Sequence, residues 1–132
     1  IPELNQILKQ YNLTYTIAGH AGDGNFHIIP LMDFSRPDTV KIIIELLDKV
    51  YDLVLKYHGS ITAEHNDGII RTPYLKKMYG KNIVALFEEI KNIFDPKNVF
   101  NPGKKTVSEG GGGTKEYMVS HIALEHKIIH KV

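Results

Sequence analysis

The stretch that decides the fold reads Gly19-His20-Ala21-Gly22-Asp23-Gly24-Asn25-Phe26-His27. The pair Asp23-Gly24 is a strong signal for a two-residue hairpin turn of type I′, which needs positive φ at both central residues. With that turn, His20 lies directly opposite His27, and the Cβ atoms of directly opposed residues are roughly 4.5–5.5 Å apart. Two imidazoles at this distance can share one metal ion. We therefore predict an antiparallel hairpin that presents a pair of metal-binding histidines on one face.

The other elements follow from apolar spacing, prolines and glycines. Besides the hairpin strands at 13–20 and 25–31, a short strand is predicted at 60–63. Helices are predicted at 2–11, 37–57, 80–94 and 114–130, with Gly59 closing the second and Thr72-Pro73 starting a further short one. The inward face of the second helix is predicted to be Val40, Ile43, Leu47, Val50, Val54 and Tyr57. That of the 80–94 helix is predicted to be Ile83, Phe87, Ile90 and Phe94.

The composition excludes several classes of protein. Lysine and arginine number 16 against 15 acidic residues, giving a net charge of +1, so nucleic-acid binding has no electrostatic support. There is no cysteine, which excludes disulfides, thiolate metal sites and thiol nucleophiles. No apolar run approaches the roughly 20 residues of a transmembrane helix. We expect a cytoplasmic protein, with peripheral membrane contact left open, and, because the chain starts at Ile1, a piece of a longer polypeptide.

A second polar pair, Glu64-His65, follows the predicted strand at 60–63. A carboxylate there would complete a two-histidine, one-carboxylate set with His20 and His27, which suits zinc, manganese or iron and leaves positions open for water or substrate. His65 would be the natural general base, since histidine exchanges protons near neutral pH. Adjacent strand residues face opposite sides, so the backbone must leave strand geometry for both residues to serve one site. The alternative is an exposed Glu-His pair in a loop.

Three motifs together resemble, in order and spacing, the C-terminal part of FAD-linked oxidases. These are the D-lactate dehydrogenase, glycolate oxidase and D-2-hydroxyglutarate dehydrogenase relatives of the vanillyl-alcohol oxidase group. The motifs are Gly19 to His27, Gly59 to His65, and Phe94-Asp95-Pro96 followed by Asn101-Pro102-Gly103-Lys104. The resemblance covers about residues 1–105, and the run from Asp67 to Gly80 is most similar to members that are fused to iron–sulfur modules.

The resemblance implies a substrate-side cap domain of α+β class, a ferredoxin-like antiparallel sheet covered by helices, packed on an FAD domain that would precede Ile1. It implies that His20, His27 and Glu64 bind a divalent metal that holds a D-2-hydroxy acid such as D-lactate or glycolate. His65 would remove the hydroxyl proton while hydride passes to the flavin, yielding the 2-oxo acid. Asn25 and Asn101 would contact the flavin or the substrate, and an iron–sulfur module elsewhere would be an electron-accepting partner.

One departure from the family pattern lies directly after the Glu-His pair. The family usually has glycine where this chain has Asn66, and asparagine is the next-best residue for positive φ. We therefore expect the loop geometry to be retained.

Residues 106–132 fall outside the resemblance and are unassigned. They comprise a glycine-rich linker at 110–113 and the predicted helix at 114–130, on which His126 and His130 lie one turn apart. That spacing could chelate a metal, although a solvated helix face is the alternative.

Two other functions remain open from the sequence. The first is a stand-alone metal- or carboxylate-binding module without flavin chemistry. The second is a hydrolytic metalloenzyme that uses the same ligands with a bound water.

Overall fold

The computed structural model describes residues 1–106 and 114–123. The described chain divides at residue 53 into two compact units. The first unit holds residues 1–53 with 122–123, and the second holds the described residues from 54 to 121. The predicted linker at 110–113 and the pair His126 and His130 lie outside the described residues.

The first unit begins with a helix and a hairpin. Helix α1 (Pro2–Lys9) starts at a proline, whose fixed φ suits the first turn, and buries Leu4 and Leu8. Strands β1 (Tyr15–His20) and β2 (Asn25–Pro30) then form an antiparallel pair. The α+β prediction is confirmed, because this two-stranded sheet accompanies helices throughout the described residues.

Helix α2 (Thr39–Lys56) confirms the predicted long helix, but its buried face differs from the predicted one. The buried residues are Thr39, Ile42, Leu46, Val50 and Tyr51, so only Val50 of the predicted stripe is among them. Isoleucines and leucines occupy most of the circumference of α2, and apolar spacing alone therefore could not select the inward arc.

The end of α2 carries the left-handed residue one position earlier than predicted. His58, with φ +54°, takes the left-handed conformation, while the Gly59 amide donates to the Val54 carbonyl at 2.9 Å. This is the Schellman pattern, in which the left-handed residue precedes the final hydrogen-bonded amide. Gly59 is instead needed for space, because a Cβ there would lie 3.0 Å from Val54 Cγ1.

The predicted strand at 60–63 is wrong. These residues form bends and turns, with Ile61 buried. The Ser60 hydroxyl accepts from the Thr62 amide at 3.1 Å, and such local side-chain bonds offer the backbone an alternative to a sheet ladder.

Short helices follow in the second unit, namely α3 (Gly68–Arg71), a 3₁₀ turn (Thr72–Tyr74) and α4 (Leu75–Tyr79). Thr72 does not cap a new helix as predicted. It already lies in a helical turn, and its hydroxyl donates back to the Gly68 carbonyl at 2.6 Å, the i−4 bond typical of such positions.

Helix α5 (Lys81–Phe94) confirms the predicted helix but again not its inward face. Val84 is the buried residue of α5, all of which is described, and Phe87 contacts Tyr79 edge to face with ring centroids 5.9 Å apart. Ile83, Ile90 and Phe94 are instead 42%, 54% and 81% exposed. Burial follows the arc that meets α4, whereas the remaining apolar arc faces outward in the second unit.

Helix α6 (Thr114–Ser120) ends earlier than the predicted helix, of which 124–130 lies outside the described residues. The Ser120 hydroxyl donates to the Tyr117 carbonyl at 2.9 Å, and a ring nitrogen of His121 lies 2.7 Å from the same oxygen. These contacts satisfy a carbonyl of the last turn and so end the helix. Met118 is buried.

Among the described residues, no helix combines the length and the apolar character needed to cross a membrane.

Candidate functional site

The hairpin places its two histidines on one face but in a different register from the predicted one. His20 pairs with Asn25, and His27 pairs with Ala18. His20 and His27 are therefore diagonal neighbours, with ring centroids 5.6 Å apart and ring planes at 71°. Diagonal side chains on one sheet face remain within reach of each other when they are long or aromatic.

The register differs because the turn is wider than type I′. Residues Ala21–Asp23 form a 3₁₀ turn, and the Gly24 amide donates to the Ala21 carbonyl at 3.1 Å. Only Gly24 of the Asp23-Gly24 pair has positive φ, at +65°. A two-residue turn at Asp23-Gly24 would have extended β1 through Ala21 and Gly22, residue types that are depleted in strands.

Gly19 fixes the backbone immediately before the first histidine. Its φ is +137°, and a Cβ at this position would lie 2.3 Å from the carbonyl oxygen of Asn25. No side chain fits that distance, so glycine is required for the close approach of the two strands at this end.

The histidine pair fits a shared divalent ion by the chemistry and spacing of its donors. Two imidazoles bound to one tetrahedral zinc at Zn–N distances of about 2.1 Å have ring centroids roughly 5 Å apart. The observed 5.6 Å between His20 and His27 is close to that separation. His20 is exposed and His27 is half-buried, and the Nε2 atom of His27 is itself buried. Asn25, directly opposite His20, adds an amide to the same face.

Glu64 and His65 lie in the second unit, in a turn rather than at a strand end. The Glu64 Oε1 atom is 3.1 Å from His65 Nε2, with the two side chains 38% and 65% exposed. The backbone therefore leaves strand geometry at the pair, as simultaneous use of both residues requires. Asn66 has φ +59°, a left-handed conformation that asparagine adopts more readily than most residues with a side chain.

A lysine anchors the residues that follow this pair. Lys105 Nζ lies 2.8 Å from Asp67 Oδ2 and 3.0 Å from Asn66 Oδ1. The motif pattern does not indicate these contacts, because Lys105 is one residue beyond the Asn-Pro-Gly-Lys motif and 39 residues from Asn66. The one sequence feature that could have pointed to Lys105 is that it is a second lysine directly after that motif.

Asn101 also lies in the second unit, with positive φ of +49°. Its Oδ1 accepts a hydrogen bond from Lys104 Nζ at 3.2 Å. It borders a cavity of about 400 Å³ whose other walls include Phe87, Phe100 and Lys91.

The loop that leads to Asn101 is held by one carboxylate. Asp95, 6% exposed, accepts from the Lys91 ammonium and from the amides of Val99 at 2.9 Å and Phe100 at 2.8 Å. The hydrogen bond from Lys91, followed by those from the two amides, lowers the pKa of Asp95, while desolvation opposes this. Asp95 is thus an ionised structural cap for the Asp-Pro turn.

Within each unit, the structure thus brings predicted site residues together. His20, His27 and Asn25 share one face of the hairpin in the first unit. Glu64 and His65 are in contact in the second unit, where Asn101 also lies.

Residues 1–105 match the family described as FAD linked oxidases, C-terminal domain. The chain belongs to this family. All three motifs quoted from the sequence lie within the matched residues, whereas α6 lies beyond them.

Relatives from three organisms illustrate the breadth of this FAD-linked oxidase family. The chain is 31% identical to glycolate oxidase subunit GlcD of Bacillus subtilis over 104 residues, which is 79% of this chain and 22% of that protein. It is 36% identical over 104 residues to D-2-hydroxyglutarate dehydrogenase of Haemophilus influenzae, again 79% of this chain but 10% of that protein. It is 35% identical over 104 residues to the mitochondrial D-lactate dehydrogenase (cytochrome) 1 of Saccharomyces cerevisiae, 79% of this chain and 17% of that protein. The chain thus spans between a tenth and a quarter of the length of these relatives.

Proposed function

We propose that this chain is the substrate- and metal-binding part of an FAD-dependent oxidoreductase that oxidises a D-2-hydroxy acid, of D-lactate or glycolate type, to the 2-oxo acid. The observation that carries the proposal is the His20–His27 pair, which offers two imidazoles on one exposed face in a chain of the FAD-linked oxidase family. In this proposal residues 1–105 are the partial cap domain, and residues 106–132 are left unassigned.

The proposed metal ligands are His20, His27 and Glu64. Two neutral nitrogens and one carboxylate suit zinc, manganese or iron(II) and leave coordination positions for a substrate carboxylate and hydroxyl. Glu64 has one oxygen in contact with His65, and its second oxygen is the one we assign to the metal. When bound, the metal would lower the pKa of the substrate hydroxyl and FAD would accept the electrons released by oxidation.

His65 is the proposed general base. Its contact with Glu64 at 3.1 Å orients the imidazole, and its 65% exposure leaves a ring nitrogen accessible to a substrate hydroxyl. The base would take the hydroxyl proton from a substrate that the ligand set has already oriented.

Asn25 and Asn101 are proposed to contact the flavin or the substrate. Both offer an amide beside other site groups, Asn25 opposite His20 and Asn101 at the cavity bordered by Phe87 and Phe100. Most of the FAD site and any iron–sulfur acceptor module would be supplied by other parts of the complete polypeptide.

The first experiment is a visible absorption spectrum of the protein produced from the complete reading frame. D-lactate, glycolate and D-2-hydroxyglutarate are then added in turn without oxygen. We expect a flavin spectrum that bleaches with at least one of them. A protein without flavin that still binds metal would instead favour the stand-alone binding module, and metal-dependent ester or peptide hydrolysis without flavin would favour the hydrolase.

The second experiment tests the individual roles. His27→Ala should weaken metal binding by more than about 100-fold, because it removes a ligand rather than an outer-shell group. His58→Asn is the matched control, since asparagine tolerates the positive φ at that exposed position. His65→Gln should lower the rate of flavin reduction more than it raises the substrate Kd. Unchanged metal content in the first variant, or an unchanged reduction rate in the second, contradicts the corresponding assignment.

A further inference from the structure

A single ammonium group joins the end of the family motif region to the turn that carries Glu64 and His65. Lys105 Nζ contacts the carboxylate of Asp67 at 2.8 Å and the side-chain oxygen of Asn66 at 3.0 Å. These acceptors come immediately after the Glu-His pair in the chain.

We propose that Lys105 is a positioning residue that fixes the Glu64-His65 turn and thereby sets the affinity of the metal site. The inference rests on the proposed function, because it assigns the purpose of the contact to the ligand role of Glu64. Lys105 itself contacts neither the metal nor the substrate in this proposal.

The contact differs from an ordinary surface ion pair, which contributes little because water screens both charges. The Asp67 side chain is only 12% exposed, so this carboxylate is largely removed from water. The same Asn66 oxygen that meets Lys105 also accepts from the Asp67 amide at 2.8 Å. The ammonium therefore holds two consecutive residues at once, and one of them, Asn66, has the positive φ that reverses the chain.

The turn is anchored at its other end by burial. Ile61 is 6% exposed, and its amide points to the sulfur of Met78 at 3.4 Å. Between this anchor and Lys105, the Glu64 and His65 side chains are substantially exposed. Loss of the Lys105 contact would free one of the two ends, and outer-shell groups of this kind commonly change metal affinity by about 10- to 100-fold.

Neighbouring lysines provide contrasts within the chain. Lys104 donates to Asn101 within its own turn, so it cannot replace Lys105. Lys97 is exposed in the loop after α5 and serves as the matched control.

The experiment uses the protein from the complete reading frame, in the variants Lys105→Met, Lys105→Arg, Asp67→Asn and Lys97→Met. Amide hydrogen exchange across residues 63–68 is measured first, without metal. Binding of Co²⁺ is then followed by its visible spectrum. We expect Lys105→Met to accelerate exchange in this segment and to weaken Co²⁺ binding about 10-fold. Lys105→Arg should keep the exchange rates and the Co²⁺ affinity near those of the parent, and Lys97→Met should match the parent in both.

The double variant Lys105→Met with Asp67→Asn should be no weaker in Co²⁺ binding than the weaker single variant, because both changes break the same contact. A lysine that merely supported the fold would lower the melting temperature but leave the Co²⁺ spectrum and affinity of the folded protein unchanged.

The outcomes separate this inference from the proposed function. If the parent binds Co²⁺ and Lys105→Met binds it equally well, the inference is overturned and the proposed function stands. If amide exchange in the 63–68 segment is the same in Lys105→Met and Lys97→Met, the claim that Lys105 fixes this turn is refuted. If the parent shows no saturable Co²⁺ binding, the proposed metal function fails and, with it, the purpose that we assign to Lys105.

Discussion

Replacement of Gly19 by alanine tests whether the hairpin geometry beside His20 depends on the absence of a side chain. The added Cβ would lie 2.3 Å from the Asn25 carbonyl oxygen and 3.0 Å from Phe26 Cα. Both obstacles are backbone atoms, so no side chain can rotate away. The strands must separate at the end where His20 pairs with Asn25.

The expected cost combines two effects. A non-glycine residue held at φ +137° carries a backbone strain of about 1–3 kcal/mol. Separation of the strands also weakens a ladder hydrogen bond, worth about 1 kcal/mol. We therefore expect Gly19→Ala to lower the free energy of unfolding by roughly 2–4 kcal/mol.

Two other glycines of the same motif give a graded control series. A Cβ at Gly22 meets nothing within 4 Å, so Gly22→Ala should stay within about 0.5 kcal/mol of the parent. Gly24 has equal space but φ +65°, and the left-handed conformation alone should cost about 1–2 kcal/mol for alanine.

Urea denaturation of the three variants, followed by circular dichroism, measures this order. A Co²⁺ titration of the folded proteins then reports on the histidine pair. We expect Gly19→Ala to weaken Co²⁺ binding more than Gly22→Ala or Gly24→Ala does. If Gly19→Ala were as stable as Gly22→Ala, the steric reasoning and the close strand approach on which it depends would both be wrong.

Three further predictions concern the second unit. Because Lys91 and two amides lower the pKa of Asp95 below its ordinary 3.8, the contribution of this carboxylate to stability is complete above pH 4 and is lost as the pH falls through its folded-state value. Asp95→Asn should therefore reduce the decrease in the free energy of unfolding as the pH is lowered. An unchanged pH dependence would contradict the role of ionised Asp95 as a cap for the loop. Asn66→Gly and Asn66→Ala both remove the side-chain oxygen that accepts from Lys105 and from the Asp67 amide. Asn66→Ala should be less stable than Asn66→Gly by about 1 kcal/mol in a urea titration, because only alanine is strained at the positive φ of this position; equal stability of the two variants would refute this. Gly59→Ala should lower the free energy of unfolding measured in urea by about 1–2 kcal/mol, since its Cβ would lie 3.0 Å from Val54 Cγ1. An unchanged free energy of unfolding would show that the Val54 side chain can move away.

The shared face of the two histidines was predictable from the sequence although the turn was not. The predicted pairing put His20 opposite His27, and the observed pairing puts His20 opposite Asn25. The shift is two residues, and side chains alternate with a period of two, so an even shift leaves both histidines on the same face. An odd shift would have separated them. The turn was mispredicted because the preference of Ala21 and Gly22 against strand geometry outweighed the Asp23-Gly24 signal.

The inward faces of the helices were less predictable, for a different reason. α2 has large apolar residues on most of its circumference, and only the packed structure selects the arc through Ile42 and Leu46. α5 exposes Ile83, Ile90 and Phe94, so apolar character alone misidentified what is buried in this unit. Periodicity identifies a helix reliably, but its neighbours decide which apolar residues are inside.

The geometry of the Glu64-His65 pair arises from turn chemistry rather than from a strand. The segment is bounded by two non-glycine residues of positive φ, His58 at +54° and Asn66 at +59°. Since positive φ is unfavourable for such residues, surrounding contacts must maintain it. Those contacts are the Schellman bonds at the end of α2 and the Lys105 ammonium. The conformation of this turn depends on the groups around it, which is why we expect a change at Lys105 to alter the position of Glu64.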